Sequence, residues 1–225
     1  HAQFLRVPFA DMGLHKIPEG LEDEDVLAVS DILSTATYAA ELAEVSPGDH
    51  VAIFGVGPVG LCTTAMCKTF GAGKIFAVDI AENRLSVAKE LGADILINPK
   101  VKPPVPAIKK ETDGRGVDAA VEAVGSKETL QYALEAVRGC GRVAIIGIFS
   151  EPQTVPVDLI QLKSLTVRSG YVDTNRIPKL IRLVQQRKIN TRKLFTHTFP
   201  LSDALKAYEL FDKGLDGVIK VAIKP

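Results

Sequence analysis

The sequence predicts an α/β protein built on a doubly wound parallel sheet. Three observations carry that expectation. Short continuous apolar runs recur at His50–Phe54, Lys74–Asp79, Asp94–Ile97, Asp118–Glu122 and Arg142–Gly147. Amphipathic stretches such as Ala81–Gly92 and Lys127–Val137 separate them. The segment Gly55-Val56-Gly57-Pro58-Val59-Gly60 joins the first apolar run to a helical stretch. A strand covered on both faces reads as an unbroken apolar run, and its parallel neighbour needs a crossover, so the alternation is βαβ repetition.

The remaining elements follow in order. His1–Asp11 reads as an extended piece and Ile17-Pro18-Glu19-Gly20 as a turn. Leu21–Ala43 carries two helical stretches, with Ser30 or Asp31 a natural cap ahead of Ile32 and Leu33. Ser46-Pro47-Gly48-Asp49 turns the chain into the first strand. Val101–Asp113 holds three prolines and several lysines and reads as a solvated loop running into a short helix. Beyond Gly147 the rhythm breaks. Leu165–Gly170 is one further strand, and a helix follows at about Arg176–Lys188 with Pro178 in its first turn. A polar–apolar run around Phe195, a helix at Ala204–Phe211 and a strand at Val218–Ile223 close the chain.

Composition narrows the function classes. The 225 residues carry 27 basic and 27 acidic side chains, so the electrostatic footprint of a nucleic-acid or anionic-membrane binder is missing. No apolar run reaches the 18 residues that a membrane span needs. Cys62, Cys67 and Cys140 are odd in number and lie at no ligand spacing, which speaks against a disulfide scaffold and for a reducing, cytoplasmic setting.

The glycine segment carries the chemistry. Its context is strand, turn, then helix: Gly55 permits the tight turn, Gly57 lets the backbone approach a pyrophosphate, and Gly60 lets the helix pack closely on the strand. Pro58 and Val59 open the helix, whose N-terminus favours phosphate charge. The next strand ends on Asp79, nineteen residues past Gly60. A carboxylate there accepts from the adenosine-ribose hydroxyls and repels a 2′-phosphate, so NAD is favoured over NADP.

With these motifs in sequence, the chain resembles the zinc-dependent alcohol dehydrogenases of the medium-chain dehydrogenase/reductase family. Val7–Asp11, Ser30–Thr35, Pro47–Asp49, Gly55–Leu61, Ala77–Asp79, Lys89–Ala93, Gly114–Asp118, Glu122–Gly125 and Gly217–Val221 carry the resemblance. It implies a Rossmann-type NAD-binding domain over residues 38–170. Remnants of a second, GroES-like substrate domain are implied at both ends, in 1–37 and 171–225. It places Asp31 as a ligand of the catalytic zinc and Thr35 against the nicotinamide, making these two the catalytic pair. Arg84 would reach the adenosine ribose, Val124 would lie at the adenine-side edge, Ile146, Gly147 and Ile148 near the nicotinamide, and Lys220 near the pyrophosphate. The implied activity is hydride transfer between a small-molecule alcohol or aldehyde and NAD, in a homodimer or homotetramer. Its subunits would join through edges around Val155–Val157 and Leu165–Arg168.

The family's first catalytic segment, with a cysteine ligand, a Gly-His-Glu motif and a four-cysteine zinc lobe, has no counterpart here. The chain is therefore expected to be a truncated form that keeps cofactor binding, holds no catalytic zinc alone and is inactive alone. Two other readings stay open at this point: a zinc-free NAD(P) reductase of the same superfamily, and a non-enzymatic nucleotide-binding or scaffold module. Asp31 within Ser-Asp-Ile-Leu-Ser-Thr speaks against the zinc-free one.

Overall fold

The apolar runs become six parallel strands of one sheet in a computed structural model that describes residues 1–225. The chain divides into two compact units, Asp31–Asp173 and a second made of His1–Ser30 with Thr174–Pro225.

The Asp31–Asp173 unit opens with helix α1 (Ser34–Leu42) and alternates from there. Its elements are β1 (His50–Phe54), α2 (Pro58–Thr69), β2 (Lys74–Val78), α3 (Glu82–Glu90), β3 (Ile95–Ile97), α4 (Pro104–Lys110), β4 (Val117–Glu122), α5 (Lys127–Ala136), β5 (Val137–Ile145), α6 (Val157–Lys163) and β6 (Thr166–Ser169). The strand order is β3-β2-β1-β4-β5-β6, all parallel. The order reverses between β1 and β4, and a crevice at the carboxyl ends of the strands there is where such sheets take ligands. This is the doubly wound fold expected.

Alternation along each strand builds two covered faces. Ala52 and Phe54 of β1 join Phe76 and Val78 of β2 in one apolar cluster, closed by Val105 and Ile108 of α4 and Leu130, Ala133 and Leu134 of α5. Fully burying a phenylalanine such as Phe54 or Phe76 is worth about 1.5–3 kcal/mol, so this face anchors the sheet.

The amino ends of the strands are tied by charge. Asp118, second residue of β4, accepts hydrogen bonds from His50 N (3.0 Å), Arg115 Nη2 (2.6 Å) and Arg138 Nε (2.7 Å). Burial alone would raise its pKa, but the Arg115, Arg138 and His50 bonds outweigh that and hold it well below the usual carboxylate range.

Most boundaries shift by one or two residues, Ala10–Gly13 is helical where extended chain was expected, and two differences change the sheet. Strand β5 starts at Val137 rather than Arg142, because α5 runs straight into extended backbone and Val137 pairs with Val117. An irregularity follows, with Cys140 at φ 54°. Val157 opens helix α6 instead of lining a sheet edge, so Thr166–Ser169 is the edge strand.

In the other unit, α7 (Ile177–Gln185) buries Ile177, Leu180, Ile181 and Val184, the i, i+3, i+4, i+7 stripe of an amphipathic helix. Strands β7 (Phe195–Pro200) and β8 (Lys220–Lys224) pair in parallel, with α8 (Ala204–Asp212) between them in sequence. The N-terminal segment is fastened by Thr191 Oγ1 donating to Asp25 O (2.9 Å), by Arg192 on Asp25 and by Lys224 on Glu24 (2.6 Å). No helix of the protein is long and apolar enough to cross a membrane.

Candidate nucleotide site at the sheet switch point

The glycine turn sits at the carboxyl end of β1, beside the point where strand order reverses. Gly55 has φ +89° and donates its N–H to Val78 O (2.8 Å), and a Cβ there would collide with Val124 Cγ2. The left-handed backbone and the crowding both require glycine. A Cβ on Gly60 would strike the Gly55 carbonyl oxygen, so this glycine sets the distance between α2 and the turn.

Gly57 is different. Its φ is −65°, and the nearest heavy atom to a Cβ built there is Arg84 Nη1 at 3.9 Å. The fold places nothing in that space. Gly57 is also the N-cap of α2, a twelve-residue helix with Pro58 in its first turn and no side chain capping it. The helix N-terminus, with the bare face of Gly57 before it, forms a cradle for an anionic group.

Asp79 follows β2 and is 7% exposed. Its Oδ2 accepts from Val56 N (2.9 Å) and its Oδ1 from Ala81 N (2.9 Å). Arg84 of α3 brings Nη1 within 4.0 Å of Asp79 Oδ2. Gly57, Asp79 and Arg84 therefore meet at one place. Each carboxylate oxygen carries a second lone pair, so both can still accept from a ligand hydroxyl.

Across the switch point, the turns after β4 and β5 lie against each other. Ile146 N and Gly147 N both donate to Glu122 O (2.9 and 3.1 Å), and a Cβ on Gly125 would strike Ile148 O. Val124 is half exposed, Ile146 is buried and Ile148 is exposed. Ile148 is thus surface beside the crevice, and Ile146, one residue past the end of β5, is buried. No role for the Glu122 side chain follows from the sequence motifs. The available signal was a carboxylate ending a strand whose every residue is buried.

Asp31 and Thr35 are neighbours, though not in the way a cap would make them. Val29–Leu33 form a π-helical turn that runs into α1, so Asp31 lies inside helical backbone rather than ahead of it. Its Oδ1 accepts from Thr35 Oγ1 (3.2 Å), a side-chain pair one helical turn apart. Asp31 is exposed and Thr35 buried. No three His, Cys, Asp or Glu side chains converge as a metal site. Lys220 lies on β8 with its Nζ 5.5 Å from the centre of the Phe211 ring, a cation–π contact. Cys62 and Cys67 are fully buried in α2, where burial pushes both thiols up to about 12, so neither serves as a nucleophile.

Residues 58–186 match the family model described as zinc-binding dehydrogenase. An alcohol dehydrogenase of Cupriavidus necator is 36% identical over the whole of this chain, which spans 62% of that protein. An NADP-dependent isopropanol dehydrogenase of Thermoanaerobacter brockii is 34% identical, with 98% of this chain and 65% of that protein aligned. The solved alcohol dehydrogenase of Thermus sp. ATN1 superposes with a TM-score of 0.91 at 37% identity, over 98% of this chain and 64% of that one.

Proposed function

The chain belongs to the zinc-binding dehydrogenase family, and from that premise we propose that its Asp31–Asp173 unit binds NAD for hydride transfer between NAD and an alcohol or aldehyde. The observation that carries this is Gly57: its missing side chain answers no demand of the fold, and the space it leaves lies before an uncapped helix and beside Asp79 and Arg84. A pyrophosphate fits that cradle, since it needs close backbone approach and unpaired N–H groups.

In this function α2 holds the pyrophosphate by its N-terminal amides and Asp79 accepts from the adenosine ribose. Asp79 disfavours a 2′-phosphate by charge, while Arg84 adds a cation beside the ribose. Val124 flanks the adenine side and Ile148 shields the far half of the crevice from water, with Ile146 and Gly147 beneath it. The nicotinamide, when bound, supplies the hydride chemistry, and the protein supplies its orientation. Thr35 is assigned to pack against the ring and Lys220 to approach the pyrophosphate, as the family resemblance implies. Residues 38–170 form the cofactor domain in this assignment, and 1–37 and 171–225 belong to the substrate domain. Three free cysteines support a reducing, cytoplasmic location.

Zinc is a separate matter. A catalytic zinc takes three protein ligands and an open position. Asp31 offers one carboxylate, already bonded by Thr35, and no further pair of ligands converges on it. These residues alone do not fit a zinc ion, and no step is assigned to one. The chain by itself is expected to hold NADH without oxidising alcohols.

Self-association belongs to the same proposal. Strand β6 pairs with β5 on one side only, and a second copy joining at that edge would satisfy its open backbone groups. Titration of NADH by fluorescence or calorimetry tests the cofactor assignment. Saturable binding is expected, and none at millimolar ligand would refute it.

A further inference from the structure

Glu122 ends β4 fully buried, at the point where the two halves of the sheet diverge. Its Oε1 accepts three hydrogen bonds, from Val124 N (2.9 Å), Gly125 N (2.9 Å) and Thr129 Oγ1 (2.8 Å). One oxygen thereby fastens the whole turn after β4 and the first turn of α5. Bonds to a carboxylate are roughly twice as strong as neutral ones, so the turn has little freedom.

The other oxygen behaves differently. Oε2 is buried and has no hydrogen-bond partner. It lies beneath Gly147, where any Cβ would collide with both Oε2 and Gly125 N. The main-chain oxygen of Glu122 meanwhile accepts from Ile146 and Gly147. A single residue therefore fixes the turn after β4 by its side chain and the turn after β5 by its backbone. Its second oxygen occupies the space between them. An unpaired buried acceptor is costly, so the arrangement needs a reason beyond the stability of the strand.

If the cofactor assignment above holds, adenosine lies on the β1–β2 side with Asp79. The second half of the dinucleotide must then cross the carboxyl ends of β4 and β5. We infer that Glu122 is a positioning residue for the nicotinamide half of the cofactor: through Gly125 N and its own main-chain oxygen it holds Gly125 against the Ile146–Ile148 turn at the spacing that half needs. It touches no reacting atom and acts through the main chain of its neighbours.

The test separates the two halves of the ligand. E122Q keeps the volume and one acceptor oxygen for the three donors but removes the charge and places an amide under Gly147. T129V removes one of the three bonds from a partly exposed position and leaves the buried strand untouched. Binding of NADH and of AMP is measured by calorimetry for wild type and both variants, with thermal melting alongside. E122Q is expected to weaken NADH about tenfold, equivalent to about 1.4 kcal/mol, while AMP changes less than about twofold. T129V should move the NADH-to-AMP ratio in the same direction by less, and it carries the test if E122Q does not fold. A merely structural role would lower both affinities together. Equal weakening of the two ligands, or unchanged NADH affinity in the variants that fold, overturns the inference and leaves the cofactor assignment standing. A wild-type chain that binds neither ligand overturns the cofactor assignment, and the inference with it.

Discussion

Asp79 Oδ2 accepts a hydrogen bond from Val56 N at 2.9 Å, so the acid that ends one strand holds the glycine turn that ends its neighbour. The proposed ribose recognition and the geometry of the glycine turn thus share one side chain. Asp79→Ala is expected to weaken NADH by about 1.5–3 kcal/mol through loss of charge-assisted bonds. It should also narrow the gap between NADH and NADPH, because the charge that repels a 2′-phosphate is gone. Paired titrations with the two dinucleotides check this, and an unchanged ratio would show that another group reads the ribose.

The glycines of the turn separate stability from binding. Gly60→Ala sets a methyl group on the Gly55 carbonyl oxygen, and Gly57→Ala meets nothing closer than 3.9 Å. Gly60→Ala should therefore cost about 1–3 kcal/mol of stability, as overpacked sites do. Gly57→Ala should cost less, about 1 kcal/mol or under, because alanine is a poorer N-cap than glycine but meets no crowding. Its NADH affinity should nevertheless fall, since the methyl group occupies the pyrophosphate space. Thermal melts beside NADH titrations decide it: a Gly57→Ala variant that binds normally would mean the cradle holds no phosphate.

The glycine turn and Asp79 were legible because their chemistry demands particular residue types at a particular spacing, and the structure brings both to one end of β1 and β2. Glu122 was not. Its partners are two main-chain amides and a threonine hydroxyl, and donors of that kind leave no pattern in a sequence. Asp31 shows the opposite difficulty. A Ser-Asp pair before an apolar run resembles a cap, and only the tertiary structure shows the π-helical turn that carries Asp31 inside the helix. The early start of β5 is likewise set by pairing of Val137 with Val117, a contact between segments remote in sequence.

Edge strand β6 gives the third prediction. Two copies joined at Thr166–Ser169 would continue the sheet, and the wild-type chain is expected to sediment above monomer mass at about tens of micromolar. Lysine is a residue that natural edges use to discourage pairing. Thr166→Lys, at an exposed position opening the strand, should shift the distribution toward monomer with little change in melting temperature. A wild-type chain that is monomeric throughout that range would refute edge pairing.

The last prediction concerns Asp118, at the opposite end of the sheet from the glycine turn. Its carboxylate joins the start of β1 to β4 through His50 N and collects Arg115 and Arg138. The Arg138 side chain is 28% exposed and that of Arg115 is 51% exposed, so solvent screens much of the Arg115 contribution. Asp118→Asn is therefore expected to cost about 1–3 kcal/mol at neutral pH, mostly from the more enclosed Arg138 bond and the His50 amide. The pH dependence follows from the direction of the shift. The folded-state pKa lies below the ordinary value of 3.8, so the unfolded chain takes up this proton first as the solution is acidified. The stabilisation is fully present above the unfolded value and is lost as pH falls through the folded one. Denaturant titrations of wild type and Asp118→Asn at a series of pH values should show a constant stability difference from about pH 7 to 5, narrowing below about pH 4. A difference that stays constant into acid would mean that Asp118 acts through shape, and that its charge contributes nothing to holding β1 against β4.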